Sequence, residues 1–135
     1  MGRAIMIQCS TDGIDNPILY NNSGKPYQKK MTIPANVISL QNGIYSETDV
    51  ESIMIGENVH VIGATALAKC PKLTFVAFKA KPNTLSSNLF YQDTQKMDIY
   101  VPWAENEVEN APWGATNATI HYNTMYDTDG NPVGV

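Results

Sequence analysis

The strongest constraint on the fold of this chain is an internal repeat with a period of about 22 residues. Residues 31–37 align with residues 53–59, so that Ile33 falls on Ile55 and Val37 falls on Val59. Self-similarity at a fixed period of about 20 to 50 residues is the signature of repeat architectures, in which each unit packs on its neighbours. The chain is therefore predicted to form a short solenoid.

Three further apolar segments, residues 73–78, 97–102 and 118–122, continue the series. Each is rich in β-branched or aromatic residues and bounded by Pro, Gly, Asn or Lys, which is typical of a short strand. One strand per coil is predicted. Residues 64–69, which lie between strands, contain Ala and Leu and favour a short helix. A helix of only about one and a half turns persists only by packing on the strands.

The unit at residues 50–73 contains Ile53, Ile55, Val59, Ile62-Gly63, Ala66-Leu67 and Cys70-Pro71-Lys72-Leu73. This pattern resembles the BspA-type leucine-rich repeat. The resemblance extends over about residues 31–122, although Leu67 replaces the usual aromatic and residues 41–45 depart further from the pattern. It implies an α/β repeat fold, a short leucine-rich-repeat solenoid that is strand-dominated with short helices.

Both ends of a solenoid need cover, because they present unpaired strands and core side chains. Residues 1–30 do not fit the repeat and are predicted to form an N-terminal β-hairpin cap, which leaves residues 31–122 as the solenoid. At the other end, the resemblance implies a short helix over residues 107–113 within a C-terminal cap that contains Trp103 and Trp113. Residues 123–135 form a C-terminal tail, either a plain turn segment or an arm that reaches a neighbouring subunit.

The composition argues against several classes of partner. A net charge of −4 has the wrong sign for binding nucleic acid through many phosphates. No apolar run approaches the roughly 18 residues that span a bilayer, and the N-terminal residues lack the apolar stretch of a secretory signal. We therefore expect no nucleic-acid binding, no membrane insertion and synthesis in a cytoplasm, where Cys9 and Cys70 stay reduced packing residues.

Catalytic and metal-binding patterns are weak in this sequence. The two histidines, His60 and His121, fall in different coils, and sequence spacing places no nucleophile or carboxylate beside them. Residues 127–131 resemble the start of a calcium loop, but the chain ends before its twelfth position, so a plain turn is predicted. We predict no enzymatic activity, no cofactor and no metal site.

Solenoids carry outward residues that vary without disturbing the core, which favours an interaction module. BspA-type repeats occur in tail or baseplate proteins of phages and in bacterial surface adhesins, so the resemblance implies two settings. The missing secretory signal, and the similarity of residues 111–122 to the ends of phage tail-associated repeat proteins, favour a virion structural component of the tail, baseplate or fibre with a role in host adhesion. The alternatives are a bacterial cell-surface adhesin module and a capsid decoration protein.

The expected partners follow from the small size of the unit, because one short array gains useful avidity only in several copies. We expect other virion proteins or further copies of the chain as partners, and a host-surface glycan or protein as the ligand. The expected location is the virion or, in the alternative, the bacterial surface.

The candidate contact residues are chosen by residue type, because protein interfaces are rich in tyrosine. The candidate contact residues are Tyr20, Tyr27, Tyr45, Tyr91 and Tyr126.

Overall fold

The computed structural model describes residues 29–133, and these residues wind into a strand-dominated solenoid. The main sheet is parallel and has the strand order β1-β3-β5-β6-β7, while β2 and β4 form a small second parallel sheet. Almost all of the cap predicted over residues 1–30 lies outside the described residues. The strands are β1 (Lys30–Thr32), β2 (Ser39–Leu40), β3 (Ser52–Ile55), β4 (Val61–Ile62), β5 (Phe75–Phe78), β6 (Met97–Tyr100) and β7 (Ala118–His121).

The core is a stack of apolar side chains, one layer per coil. Because successive side chains of a strand point to opposite faces, each main strand sends every second residue inward. The register aligns these inward residues from coil to coil, and the members in β1, β3, β5 and β6 are at most 3% exposed. One such ladder contains Met31, Ile53, Val76, Ile99 and Ile120. The repeat period thus becomes the spacing of the core layers.

The short helix predicted over residues 64–69 is absent, and a run of turns takes its place. Amide groups alternate between two kinds of acceptor in this run. Ala66 donates within its own coil to Gly63, whereas Leu67 donates to the carbonyl of Leu89 in the next coil at 3.2 Å. Thr65 also has a positive φ of 63°. An α-helix needs every amide to reach back four residues, so pairing between coils replaces it.

Similar six-residue turns recur at residues 42–47, 64–69, 87–92 and 109–114, and they form the corner of each coil. The helix predicted over residues 107–113 is likewise replaced by turns, with a φ of 76° at both Asn106 and Asn110. These left-handed residues reverse the chain sharply, which a continuous helix does not allow. Among residues 29–133 the structure contains no helix.

The final described coil buries both tryptophans and then turns back on itself. Trp113 is fully buried and meets Trp103 edge-to-face, with ring centroids 6.2 Å apart. Beyond β7 the tail forms a small hairpin closed by a bridge between Tyr126 and Pro132. The hydroxyl of Tyr126 donates a hydrogen bond to the carbonyl of Phe78 at the end of β5. The described part of the tail therefore packs on the body of its own solenoid.

Candidate interaction surface

The outward face of the main sheet carries side chains that the core does not use. Since inward and outward residues alternate, the residues between the core positions of β3, β5, β6 and β7 line this face. They align in two rows across the strands. One row contains Ser52, Phe75, Asp98 and Thr119, and the other contains Met54, Ala77, Tyr100 and His121, of which Ala77 alone is fully buried.

Phe75, Tyr100 and His121 form a continuous aromatic strip along this face. Tyr100 and His121 are direct register partners, and their rings stack with centroids 4.2 Å apart and planes 10° from parallel. Phe75 lies diagonally across from Tyr100, with a centroid distance of 5.3 Å. Diagonal neighbours of this kind come within reach when the side chains are aromatic. All three residues are partly exposed.

Asp98 adds a polar group to one edge of the aromatic strip. Its Oδ1 lies 3.0 Å from Nε2 of His121, and the two side chains remain 42% and 30% exposed. A carboxylate in this position orients the imidazole ring and fixes the direction in which its other nitrogen points. The strip therefore combines ring surface with hydrogen-bonding groups that solvent can reach.

Of the five tyrosines predicted from the sequence, the three within residues 29–133 do not come together on one surface. Tyr45 is fully buried in the core, and Tyr126 is held against Phe78. Tyr91 is 46% exposed, but it lies at a coil corner. Tyr20 and Tyr27 lie outside the described residues.

Tyr100 is the central residue that the sequence reasoning missed. The signal was present in the alternation of β6, where Met97 and Ile99 take the core positions and leave Asp98 and Tyr100 on the outer face. Residue type alone favours every tyrosine equally, whereas the strand period assigns each residue to a face of the sheet. Applying the same period to β7 places His121 beside Tyr100.

A buried polar stack runs through the corners at Thr48, Cys70 and Asp93. Cys70 is a free, buried thiol, and burial raises its pKa, which makes it unreactive as a nucleophile. Its amide donates to Oδ1 of Asp93 at 2.6 Å. Burial also raises the pKa of Asp93 to about 7. These groups are closed to solvent, so they belong to the architecture and not to a binding site. Cys9 lies outside the described residues.

The loop that resembles a calcium site closes on its own backbone. Oδ1 of Asp127 accepts hydrogen bonds from the amides of Asp129 and Asn131, both at 2.9 Å. This is a side-chain-stabilised turn. Within residues 29–133 no group of three or more His, Cys, Asp or Glu side chains is placed to hold a metal ion. No helix in the same range is long and apolar enough to cross a membrane.

Comparison with known proteins yields one match. The family profile described as a BspA type leucine rich repeat region matches residues 6–118 in six copies. No curated protein and no solved structure matches the chain. The profile covers most of the sequence and agrees with the strand-dominated solenoid seen in the described residues.

Proposed function

Since the chain belongs to the family of BspA-type leucine-rich repeat proteins, we propose that it is a non-enzymatic binding module whose contact surface is the aromatic strip together with Asp98. Repeats of this family are general interaction and surface modules. Their solenoids act as scaffolds, and the outward residues of the sheet determine what is bound.

The observation that carries this proposal is the half-exposed stack of Tyr100 on His121. Binding sites combine aromatic surface with a few placed polar groups, and Asp98 and the imidazole supply those groups here. The two stacked rings cover each other's inner faces, so their edges and polar atoms are what a partner meets. Aromatic rings beside hydrogen-bonding groups are typical of protein–protein contacts, so we propose a protein surface as the partner.

For the biological setting we propose a virion structural component of a phage tail, baseplate or fibre, with host adhesion as its role. The partners are other virion proteins or further copies of the chain, and the location is the virion. The resemblance of residues 111–122 to the ends of phage tail-associated repeat proteins supports this setting. A bacterial cell-surface adhesin module is the alternative, a capsid decoration protein is a further one, and the gene neighbourhood distinguishes all three.

The contact surface is tested by selecting binders from a random peptide display library and measuring their affinity for substituted proteins. Tyr100→Ala is expected to weaken binding by about tenfold or more, the loss typical of an interface hot spot. Tyr91→Ala removes an exposed tyrosine at a corner and is the matched control. Equal losses in the two variants, or binders that respond to neither, contradict the assignment of the strip. Binding of a printed bacterial glycan array by the unsubstituted protein, lost in Tyr100→Ala, points instead to a glycan ligand.

The assembly is tested by light scattering of the purified chain at several concentrations. A stable trimer or hexamer matches the symmetry of a tail or fibre and supports self-assembly. A strict monomer across the range contradicts the homo-oligomer and leaves attachment to a larger protein as the route to avidity.

A further inference from the structure

The C-terminal end of the described solenoid contains a groove of about 590 Å³. Its apolar floor consists of Ala118, Ile120 and Tyr122, and residues 105–106 and 108–112 form the facing wall. Ile120 is the register partner of Ile99, which is fully buried, yet Ile120 itself is only partly buried. The groove is therefore a core layer that is covered on one side only.

Within residues 122–133 the chain does not continue over this groove. After β7 it turns back toward earlier coils, since the amide of Asn123 donates to Trp103 and that of Thr124 donates to Val101. The tail then reaches Phe78, two coils away from the groove. In the described residues β7 ends the strand order of the main sheet. An edge strand of this kind is a template for pairing with another extended segment.

The charges around the groove are of one sign. Glu105 and Glu109 line it and are exposed, and among the described residues no Lys or Arg contributes to its walls. Burial raises the pKa of the Tyr122 hydroxyl, and the negative charge of Glu105 raises it further. Two copies docked through this end would bring like charges together, which opposes association.

We propose that this groove binds an extended segment of another protein, with apolar residues at alternate positions and Lys or Arg at its ends, as an added strand beside β7. Main-chain hydrogen bonds to the edge supply affinity in this mode, and alternate side chains fill the apolar floor. Basic flanks pair with Glu105 and Glu109. The groove uses the inward side chains of β7, whereas the aromatic strip uses the outward side chain of His121, so the inference does not depend on the function proposed above.

The test is a titration of the isotopically labelled full chain with the peptide Lys-Lys-Val-Thr-Val-Thr-Val-Lys-Lys, followed by amide chemical shifts. Shift changes centred on β7 and residues 105–112 are expected. A peptide with Glu in place of every Lys should have an affinity at least about tenfold lower, because its negative charges repel Glu105 and Glu109. A peptide with Pro in place of the central Val should not bind, since Pro cannot donate to a strand edge. Equal binding of the Lys and Glu peptides overturns the proposal.

Substitutions at exposed rim residues leave the fold intact and isolate the charge contribution. The double variant Glu105→Gln/Glu109→Gln is expected to weaken the Lys peptide by about tenfold, as two exposed ion pairs are lost. The control Asp49→Asn/Glu57→Gln changes two exposed acidic residues elsewhere and should bind as the unsubstituted protein does.

Other occupants of the groove give distinct results, and each of them overturns the proposal. A dimer in solution whose β7 amides become protected on association identifies a second copy as the occupant. Chemical crosslinks between residues 1–28 and β7 in the monomer identify the chain's own N-terminal segment. Absence of any peptide-induced shift near β7 shows that no strand is added there.

Discussion

The corner position shared by Thr48, Cys70 and Asp93 shows what a single residue changes in a repeat. Thr48 and Cys70 are small and neutral, whereas Asp93 brings a carboxyl group into a site with no exposed surface. One carboxyl oxygen accepts the Cys70 amide, but Oδ2 has no hydrogen-bond partner. Burial raises the pKa of Asp93 to about 7, although the Cys70 amide acts in the opposite direction. The protonated acid is the form that suits this site.

The raised pKa of Asp93 predicts a loss of stability as pH rises. The unfolded carboxyl has a pKa of about 3.9, so between about pH 4 and pH 7 the folded chain binds more protons than the unfolded chain. The free energy of unfolding should fall across this window and level off above it. Asp93→Asn, which mimics the protonated form, should remove this part of the slope and be about 1–3 kcal/mol more stable at pH 8. Urea unfolding of both proteins from pH 4 to pH 8 measures the free energy of unfolding at each pH.

The control variant is Asp49→Asn, which makes the same substitution at an exposed aspartate. It should keep the pH dependence of the unsubstituted protein. If Asp93→Asn and the unsubstituted chain lose stability in parallel between pH 4 and pH 7, Asp93 is already ionised in the folded state.

At the scale of one element, each coil corner contains a residue with left-handed backbone geometry near its end. Glu47, Lys69 and Gln92 have φ values of 61°, 56° and 65°, and Gly114 takes the equivalent place in the last corner with a φ of 97°. A side chain there costs about 1–2 kcal/mol, a cost that glycine does not have. The geometry is imposed by the stacking of the coils, because corner amides pair with the next coil.

The corner geometry predicts that Gln92→Gly stabilises the fold. Glycine removes the left-handed strain from the folded state, and this gain exceeds the cost of the larger backbone entropy that glycine gives the unfolded chain. The free energy of unfolding should therefore rise by up to about 1 kcal/mol. Thr94→Gly, two residues away and exposed without a positive φ, should instead lower it by about 0.5–1 kcal/mol. Chemical denaturation of both variants supplies the comparison, and a lower stability for Gln92→Gly contradicts the interpretation of the corner.

The same corners show where sequence reasoning was sufficient and where it was not. The period placed β3 and β5 correctly because one inward residue must recur in every coil, as Ile53 and Val76 do. The helix expected over residues 64–69 rested on local propensity, and propensity contains no information about acceptors in the next coil. The aromatic strip needed the face of each strand as well as its position, which is why Tyr100 was overlooked.

At the scale of the whole molecule, most contacts join neighbouring coils, and the tail is an exception. The hydrogen bond from Tyr126 to Phe78 joins residues 48 positions apart and so spans two coils. Burial raises the pKa of Tyr126 to about 12, which keeps its hydroxyl protonated as a donor. The tail thus connects residues beyond β7 to the middle of the stack. In a solenoid the repeats otherwise contact only their neighbours.

This tie predicts that Tyr126→Phe loosens the tail without unfolding the coils. Loss of one hydrogen bond that leaves a carbonyl unpaired should speed amide exchange at Asp127, Gly130 and Val133 by about threefold to tenfold. Those amides donate within the tail hairpin. Exchange in β5 should stay nearly unchanged, and Tyr91→Phe, at an exposed corner, should alter neither region.

Repeating the exchange measurement at several protein concentrations shows whether Tyr126 bonds to the carbonyl of Phe78 in its own chain or in a second copy. If the tail packs on its own solenoid, protection at Asp127, Gly130 and Val133 is independent of concentration, because the contact is intramolecular. If protection falls on dilution, the tail reaches Phe78 of a second copy, and it then acts as the assembly arm that was one of the two predictions from its sequence. Identical exchange in Tyr126→Phe and the unsubstituted protein at every concentration means that the hairpin is held by its own turn, closed through Asp127, and not by the contact with β5.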